Sequence, residues 1–306
     1  MKYIFFLIFS LNILFYILLI FKPLDINSDF SIEEGNNLTE IFTDLEEQNI
    51  YFPKVIKLIF NVSGSDKNIY LGKYKINESD SLIDIFKKIY SGNIILKRFI
   101  VPEGSTIGSL FSREIINNYC QILKSQNDCE LEGFIKPDIY FYDRDSELLS
   151  ILKKSIENQI IDLNKSWEGR DVKLINFSKK EILIIASILE KESCANERRK
   201  ISGVIYNRLK KNMLLQMDST TIYGLKEFNG DLKKKDLRDS SLYNTYMHKG
   251  LPPGPISNPS KNSIFAATQP EEHDYLYFVA KNKCTHQFSD NYDDHLKAVK
   301  EFQLSK

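Results

Sequence analysis

The chain contains 306 residues, of which 41 are basic and 41 acidic, so its formal net charge at pH 7 is zero. This length is typical of about two folded domains, and an apolar content of 42% is enough to build hydrophobic cores. The balanced charge argues against a nucleic-acid-binding protein, because such a protein presents a basic face to the phosphates. A nucleotide-using enzyme is also disfavoured, since no Gly-rich phosphate loop of either common type is present.

Residues 3–21 form an uncharged apolar stretch. A helix of this length, at a rise of 1.5 Å per residue, spans about 28 Å, close to the ~30 Å hydrocarbon core of a membrane. A cleaved signal peptide is the alternative, but its apolar region usually has only ~7–15 residues and ends at small residues. Residues 22–25 (KPLD) offer no such site. We therefore expect residues 1–24 to be a cytoplasmic tip and a transmembrane anchor.

The charges that flank this segment predict its orientation. Lys2 precedes the segment, whereas the residues between Lys22 and Lys54 carry Asp and Glu but no Lys or Arg. The positive-inside rule then places the N-terminus in the cytoplasm and the bulk of the chain outside it. We expect a single-pass protein of the cell inner membrane with its bulk in the periplasm.

Four cysteines and four histidines bear on the compartment and on metal binding. In an oxidising space Cys120 and Cys129 are close enough in sequence to form a disulfide, while Cys194 and Cys284 are far apart. Four unpaired thiols are the alternative. There is no Cys-x-x-Cys pair and the histidines are not at ligand intervals, so we expect no metal site.

A short pattern occurs twice in the part of the chain that follows the anchor. It begins at residues 34–37 (EGNN) and again at residues 103–106 (EGST), and apolar residues at helical spacing follow each copy. Each copy predicts a strand, a glycine turn, an Asn or Ser N-cap and a helix. In the first copy the expected buried residues are Leu38, Ile41, Phe42 and Leu45. Two such units indicate small α/β modules of the kind found in carbohydrate-binding domains, and coincidence on a common turn–helix signal is the alternative.

The remaining elements predict a mixed α+β fold. Residues 71–76 alternate like a strand, residues 81–91 form a helix that stops at Gly92, and residues 93–101 are again strand-like. A charged helix is expected around residues 148–159. We divide the chain after the anchor into a module over residues 25–100, a second module or connecting region over residues 101–175, and a domain over residues 176–306.

The clearest local signal is a helix that begins after Ser178. Ser178 and Glu181 form a capping box, and Phe177 and Ile182 occupy the positions of a hydrophobic staple around it. Residues 182–189 are apolar except for Ser187, so this helix is predicted to be buried on nearly all sides.

The helix ends with Glu190 and Glu192, where the negative end of the helix dipole disfavours carboxylates. The two side chains project about 200° apart at 100° per residue, so they cannot act as a catalytic pair. Glu192 continues the apolar stripe of the helix, where desolvation and the dipole both raise the pKa of a carboxyl. A general acid near neutral pH needs such a pKa. The alternative is that both glutamates pair at the surface with Lys191, Arg198 or Arg199.

Several blocks of the C-terminal half occur in a characteristic order. They are residues 186–192 (ASILEKE), 204–209 (VIYNRL), 215–224 (LQMDSTTIYG), 243–246 (YNTY), 250–256 (GLPPGPI) with Asn258-Pro259, and 275–280 (YLYFVA). This series resembles the YceG-like (MltG) family of endolytic murein transglycosylases.

The resemblance continues upstream, with the membrane anchor, an E-G-x-x-L module of LysM-like type and residues 71–74 (LGKY). Residues 132–140 (EGFIKPDIY) also look like a family motif, but Ile139 replaces Thr and Lys136 stands at an apolar position. This departure puts a hydrogen bond at that turn in question and leaves the catalytic helix unaffected.

The resemblance implies cleavage of the β-1,4 bond from MurNAc to GlcNAc in nascent peptidoglycan, which would end glycan elongation. The product is a 1,6-anhydro end, and neither water nor a cofactor is used. The family's catalytic acid maps onto Glu192, within a catalytic domain over residues 176–306 that would be periplasmic. One carboxyl suffices because the C6 hydroxyl of the substrate is the nucleophile. Peptidoglycan strands and the membrane are the implied partners, with peptidoglycan synthases as further ones and no nucleic acid.

Short polar groups and aromatic rings in the same blocks are candidates for sugar binding. They are Asn207, Gln216, Asp218, Thr221, Tyr223, Tyr243, Asn244 and Tyr246. For each of them, hydrogen bonding within a turn or loop is the alternative role. Leu276, Phe278 and Ala280 alternate as a strand, and we expect them to lie in the core.

Two other functions compete with a transglycosylase. A non-catalytic peptidoglycan-binding protein would keep the repeated module but would not need an acid at the end of a buried helix. A lysozyme-type muramidase would need a second carboxylate to activate water, and Asp218 is the candidate.

Overall fold

In a computed structural model, the described residues are 2–50, 54, 57, 69–122, 129–143, 147–194, 196–282 and 284–304. Helices and short strands are interspersed along these ranges, which confirms a mixed α+β fold. The helices are α1 (Lys2–Phe21), α2 (Leu38–Glu47), α3 (Leu82–Ser91), α4 (Ile107–Leu110), α5 (Arg113–Ile122), α6 (Leu148–Glu168), α7 (Lys179–Glu192), α8 (Arg198–Lys210), α9 (Asp218–Gly224), α10 (Lys261–Thr268) and α11 (Tyr292–Val299). The strands are β1 (Ser28–Ile32), β2 (Gly72–Ile76), β3 (Lys97–Val101), β4 (Asp138–Tyr142), β5 (Tyr277–Ala280) and β6 (His286–Ser289), paired as β1–β2, β3–β4 and β5–β6.

The chain forms two compact units. Unit 1 contains Met1–Arg98 with Phe141–Glu147, and unit 2 contains Phe99–Tyr140 with Leu148–Lys306. The sequence predicts a boundary after residue 100 and another after residue 175. The structure has a change of unit close to the first position and keeps both sides of the second within unit 2.

The helix α1 has the properties of a membrane-spanning segment. Among the described residues it is the one helix long and apolar enough to cross a membrane, over Tyr3–Phe21. Most of its large apolar side chains are exposed, including Tyr3 at 91% near the start of the helix and Phe21 at 62% at its end. A helix with such a surface fits a single-pass membrane anchor.

Unit 1 has its own core between a two-stranded sheet and two helices. Strands β1 and β2 are antiparallel, with Phe30 opposite Tyr74. The first Glu-Gly turn folds as predicted: Gly35 has a φ of 94° and Asn37 caps α2. The residues of α2 that are buried are those predicted, Leu38, Ile41, Phe42 and Leu45. Helix α3 stops at Gly92, which adopts the left-handed conformation.

The second Glu-Gly copy folds differently, and the prediction of an Asn or Ser cap is wrong there. Its helix α4 has only four residues, none of them buried, and its N-cap is Thr106. The backbone of this turn pairs with Asn258: Gly104 N donates to Asn258 O at 2.9 Å, and Asn258 N donates to Ser105 O at 2.7 Å. These long-range bonds join the second Glu-Gly turn to the segment that precedes α10.

Unit 2 is organised around α7. The capping box of Ser178 and Glu181 is present, and every residue from Ile182 to Leu189 is buried, as predicted. Helix α6 is longer than predicted and reaches Glu168. Lys136, at the apolar position of its motif, forms an ion pair with Asp162 at 2.8 Å. Helices α6, α8, α9 and α10 pack against α7, which fixes the position of its C-terminal end.

Both cysteine pairs in unit 2 are disulfide-bonded. Cys120 is bonded to Cys129, with Cα atoms 5.7 Å apart. Cys194 is bonded to Cys284, with Cα atoms 5.3 Å apart. The second bond ties the residues that follow α7 to the turn between β5 and β6. The alternative of four free thiols is therefore wrong.

Candidate active site

A pocket of about 500 Å³ opens in unit 2 at the C-terminal end of α7. The ends of several elements meet there, because α7, α9 and the β5–β6 hairpin all contribute to its wall. Its polar and aromatic lining residues are Glu192, Arg208, Gln216, Asp218, Tyr246, Tyr277, Phe278, His286, Tyr292, His295 and Gln303.

Glu192 is the last residue of α7, and its carboxylate accepts two hydrogen bonds from Ser219. The hydroxyl Oγ of Ser219 lies 2.6 Å from Oε1, and the backbone N lies 3.2 Å from the same atom. Burial raises the pKa of Glu192, and the two bonds from Ser219 act in the opposite direction. A raised pKa favours the protonated carboxyl, which is the form that a general acid needs.

Glu190 lies outside this pocket and has a different environment. It forms an ion pair with Arg198 at 2.6 Å, and only 4% of its side chain is exposed. Its second oxygen accepts hydrogen bonds from the backbone N of Ser260 at 2.7 Å and from Oγ at 2.6 Å. These bonds cap the N-terminus of α10. The two glutamates lie on different faces of the helix, as predicted. Of the two, Glu190 forms the ion pair with Arg198 that was considered as the alternative for both.

Asp218 and Tyr246 form a second polar part of the pocket. The phenol of Tyr246 donates a hydrogen bond to Oδ1 of Asp218 at 2.6 Å. Burial raises the pKa of Tyr246, so the phenol stays protonated as a donor. Gln216 also lines the pocket and has a φ of 50°, a left-handed conformation that is uncommon outside glycine. The structure thus brings Gln216, Asp218 and Tyr246 together with Glu192.

Three of the predicted sugar-binding residues form hydrogen bonds within the protein. The amide of Asn207 donates to the carbonyl oxygens of His273 at 2.7 Å and Tyr275 at 3.1 Å, away from the Glu192 pocket. Thr221 and Asn244 are almost fully buried, and the hydroxyl of Thr221 donates to Oδ1 of Asn244 at 3.0 Å. Their polar groups are used in hydrogen bonds within the protein, which favours the alternative structural role for these residues.

Tyr223 and Tyr243 line a different pocket of about 560 Å³ in unit 2. Their rings lie 4.8 Å apart, and the phenol of Tyr223 donates to Oε2 of Glu132 at 3.1 Å. Burial raises the pKa of Glu132. These two candidate rings therefore lie side by side, in a pocket different from that of Glu192.

Sequence reasoning missed the contribution of the β5–β6 hairpin. Leu276 is buried as expected, but Phe278 is only partly buried and lines the pocket, and Ala280 is exposed. His286 lies opposite Ala280 in the antiparallel register and also lines the pocket. The alternation in residues 275–280 could have indicated this second face, because a strand at a pocket exposes one side to it.

The polar side chains of the Glu192 pocket are of the kinds used in acid–base chemistry. In the part of the chain that the structure describes, no group of three or more His, Cys, Asp or Glu side chains could hold a metal ion. The pocket instead contains one carboxyl with a raised pKa and a second carboxylate held by a tyrosine.

Comparison with known proteins is consistent with this site. The model of the YceG-like family matches residues 30–301. The endolytic murein transglycosylase of Bacillus subtilis (strain 168) is 39% identical over 180 residues, which cover 58% of this chain and 49% of that protein. The endolytic murein transglycosylase of Streptococcus pneumoniae (strain R6) is 28% identical over an alignment of 347 residues, covering 95% of this chain and 62% of that protein. The chain thus spans about half to three fifths of the length of these relatives.

A solved structure shares the fold. The crystal structure of a yceG-like protein from Listeria monocytogenes matches with a TM-score of 0.59 and 27% sequence identity. The match covers 89% of this chain and 98% of the Listeria chain.

Proposed function

Since the chain belongs to the YceG-like family, we propose that it is a membrane-anchored endolytic lytic transglycosylase of peptidoglycan. It cleaves the β-1,4 bond from MurNAc to GlcNAc in nascent strands and thereby ends their elongation. The observation that carries this proposal is Glu192, whose carboxyl has a pKa raised by burial and lines a pocket at the end of a buried helix. The relatives named endolytic murein transglycosylases support the same substrate.

Glu192 acts first as an acid and then as a base. The protonated carboxyl donates its proton to the glycosidic oxygen, and the bond from that oxygen to C1 of MurNAc breaks. The C6 hydroxyl of the same MurNAc then attacks C1, and the Glu192 carboxylate accepts the hydroxyl proton. The product is a 1,6-anhydro end, no water is consumed, and Glu192 is again protonated. The two hydrogen bonds from Ser219 stabilise the carboxylate between the two steps.

Asp218 is the carboxylate that a hydrolase would use to activate water. The hydrogen bond from Tyr246 at 2.6 Å supports a different role for it. A carboxylate held in this way is suited to orienting the sugar or stabilising positive charge that develops at C1. Gln216, Asp218 and Tyr246 are therefore the substrate-binding residues that we propose for this pocket.

The rest of the chain brings the enzyme to its substrate. We place the N-terminus of α1 in the cytoplasm and unit 2 on the other side of the membrane. The disulfides Cys120–Cys129 and Cys194–Cys284 support this orientation, because such bonds persist in oxidising compartments. Unit 1 is proposed to be a LysM-like glycan-binding module, supported by its Glu-Gly turn and its sheet-and-helix core. A peptidoglycan synthase is the proposed partner, because the substrate is a newly made strand.

A pair of substitutions on α7 tests the catalytic assignment. Glu192→Gln removes the proton that is transferred but keeps the shape, so release of glycan fragments by the full chain in detergent should fall by at least ~10³-fold. Glu190→Gln is the matched control, because Glu190 lies on a different face of the same helix. This variant should keep most of the activity at temperatures where it is folded. Circular dichroism verifies the fold of both variants. An inactive, folded Glu190→Gln variant beside an active Glu192→Gln variant would contradict the proposal.

A further inference from the structure

A histidine and a glutamate form a bonded pair at the edge of the Glu192 pocket. Nδ1 of His286 lies 2.7 Å from Oε2 of Glu197. The backbone N of His286 also donates to both carboxylate oxygens of Glu197, at 3.0 and 3.3 Å. Only 11% of the His286 side chain and 18% of the Glu197 side chain are exposed. Three contacts to one carboxylate hold the imidazole ring in a fixed orientation.

The covalent structure connects this pair to the catalytic helix. Cys194 follows Glu192 by two residues, and Cys284 precedes His286 by two residues. The disulfide between the two cysteines therefore joins the end of α7 to the start of β6. Glu192 and His286 line the same pocket, so a ligand that filled it would meet both side chains.

The hydrogen bond to Glu197 determines which nitrogen of His286 can meet that ligand. Nδ1 points to Glu197, and Nε2 has no hydrogen-bond partner among the described residues. A carboxylate that fixes one imidazole nitrogen leaves the other nitrogen oriented for function. The sugar hydroxyls and acetamido groups of a glycan offer both donors and acceptors to such a nitrogen.

The charges around His286 come from several elements. The other ionisable side chains of the pocket are Glu192 on α7, Arg208 on α8, Asp218 on α9, Tyr246 in the following loop, Tyr277 on β5, and Tyr292 and His295 on α11. Burial raises the pKa of Glu192 most, the charge of Asp218 raises it further, and the charge of His286 lowers it. His286 thus opposes Asp218 in its effect on the acid.

We propose that His286 is a further functional residue of this site, which binds the sugar at the scissile bond through Nε2 and stabilises the Glu192 carboxylate. Glu197 is the positioning residue that orients the ring. This role rests on the proposed transglycosylase function for its substrate, but the Glu197–His286 pair and the pocket that His286 shares with Glu192 do not depend on the product.

Three variants of the full chain in detergent test the proposal by kinetics. His286→Gln should lower kcat/KM by roughly 10- to 100-fold and move the basic limb of its pH profile to higher pH, because the pKa of Glu192 rises when the charge of His286 is lost. Glu197→Gln should lower kcat/KM less, because the ring remains but is no longer held. His273→Gln is the matched control, since His273 is hydrogen-bonded to Lys200 O in another pocket of unit 2. His273→Gln should leave kcat/KM within about twofold of the value for the unchanged protein, and it should leave the basic limb of the pH profile in place.

A measurement without substrate separates this proposal from the proposed function. The titration of the Glu192 carboxyl, followed by NMR of protein labelled at glutamate, should move to higher pH in His286→Gln and stay in place in His273→Gln. An unchanged titration in His286→Gln overturns the proposal. So does a folded His286→Gln variant with an unchanged kcat/KM profile. Release of reducing ends by the unchanged protein would contradict the transglycosylase function, while a shifted Glu192 titration would still support the role of His286.

Discussion

Glu190 and Glu192 lie two residues apart on one helix, and their carboxylates bind to different parts of unit 2. Glu190 is held by Arg198 at 2.6 Å and caps α10 through Ser260. Glu192 is held by Ser219 at 2.6 Å, at the start of α9. In the last turn of α7, both carboxylate oxygens of Glu190 are therefore bonded within the protein, whereas the carboxyl of Glu192 lines a pocket.

The first prediction concerns the stability contributed by Glu190. Glu190→Gln leaves the buried guanidinium of Arg198 without its close carboxylate, so the free energy of unfolding of unit 2 should fall by about 3 kcal/mol. Denaturant unfolding measures this change. Glu130→Gln is the matched control, because the ion pair of Glu130 with Lys180 is more than half exposed on the carboxylate side. It should cost less than ~1 kcal/mol, and equal losses in the two variants would refute the structural role of Glu190.

Ser219 should set the pH range of the enzyme. Its hydroxyl bond lowers the pKa of Glu192, so Ser219→Ala raises that pKa and keeps the acid protonated to higher pH. The basic limb of the kcat/KM profile should therefore move to higher pH. Ser193→Ala is the control, since that hydroxyl donates to Leu189 O on the same helix and not to Glu192. A Ser219→Ala profile that coincides with the Ser193→Ala profile would argue against control by this bond.

Asp218 should affect the pKa of Glu192 in the opposite direction to Ser219, and it should not determine the product. Its charge raises the pKa of Glu192, so Asp218→Asn should move the basic limb to lower pH. Loss of an orienting and electrostatic group should also lower the rate by ~10–10³-fold. Mass analysis of the digest should still find 1,6-anhydro ends. A product that changes with this substitution would mean that Asp218 takes part in choosing the acceptor.

The sequence predicts the helix of the site better than its loops. The capping box at Ser178 and the apolar run that follows it are local signals, and the angular separation of Glu190 and Glu192 follows from helix geometry alone. Thr221 and Asn244 could not be assigned in this way. A short polar side chain can bind a ligand or another part of the protein, and only the fold shows that these two are bonded to each other.

Contacts between distant segments explain the other differences. The second Glu-Gly copy has the same local signal as the first, but its backbone pairs with Asn258, more than a hundred residues later. His286 has no local signal for function either. It reaches the pocket because β6 pairs with β5, and because Glu197 and the disulfide at Cys284 hold the start of β6.

The disulfide between Cys194 and Cys284 should affect both stability and activity. Replacing both residues by Ala should lower the free energy of unfolding by about 2–4 kcal/mol, and it should lower activity because β6 loses its covalent link to the end of α7. The matched control replaces Cys120 and Cys129, whose bond closes a short loop elsewhere in unit 2. That variant should lose stability and keep its activity below its melting temperature. Full activity in a folded protein without the Cys194–Cys284 bond would count against the link.

We propose above that a single carboxyl, Glu192, catalyses the transfer of C1 of MurNAc from the glycosidic oxygen to the C6 hydroxyl of the same sugar. Water takes no part in this reaction. The most direct measurement is digestion of peptidoglycan strands by the full chain in water enriched in ¹⁸O, followed by mass spectrometry of the new ends. Our account predicts 1,6-anhydro-MurNAc ends that contain no ¹⁸O, and their absence in a digest with Glu192→Gln. Reducing ends that carry one ¹⁸O atom would contradict it, because they would identify water as the acceptor and the enzyme as a muramidase.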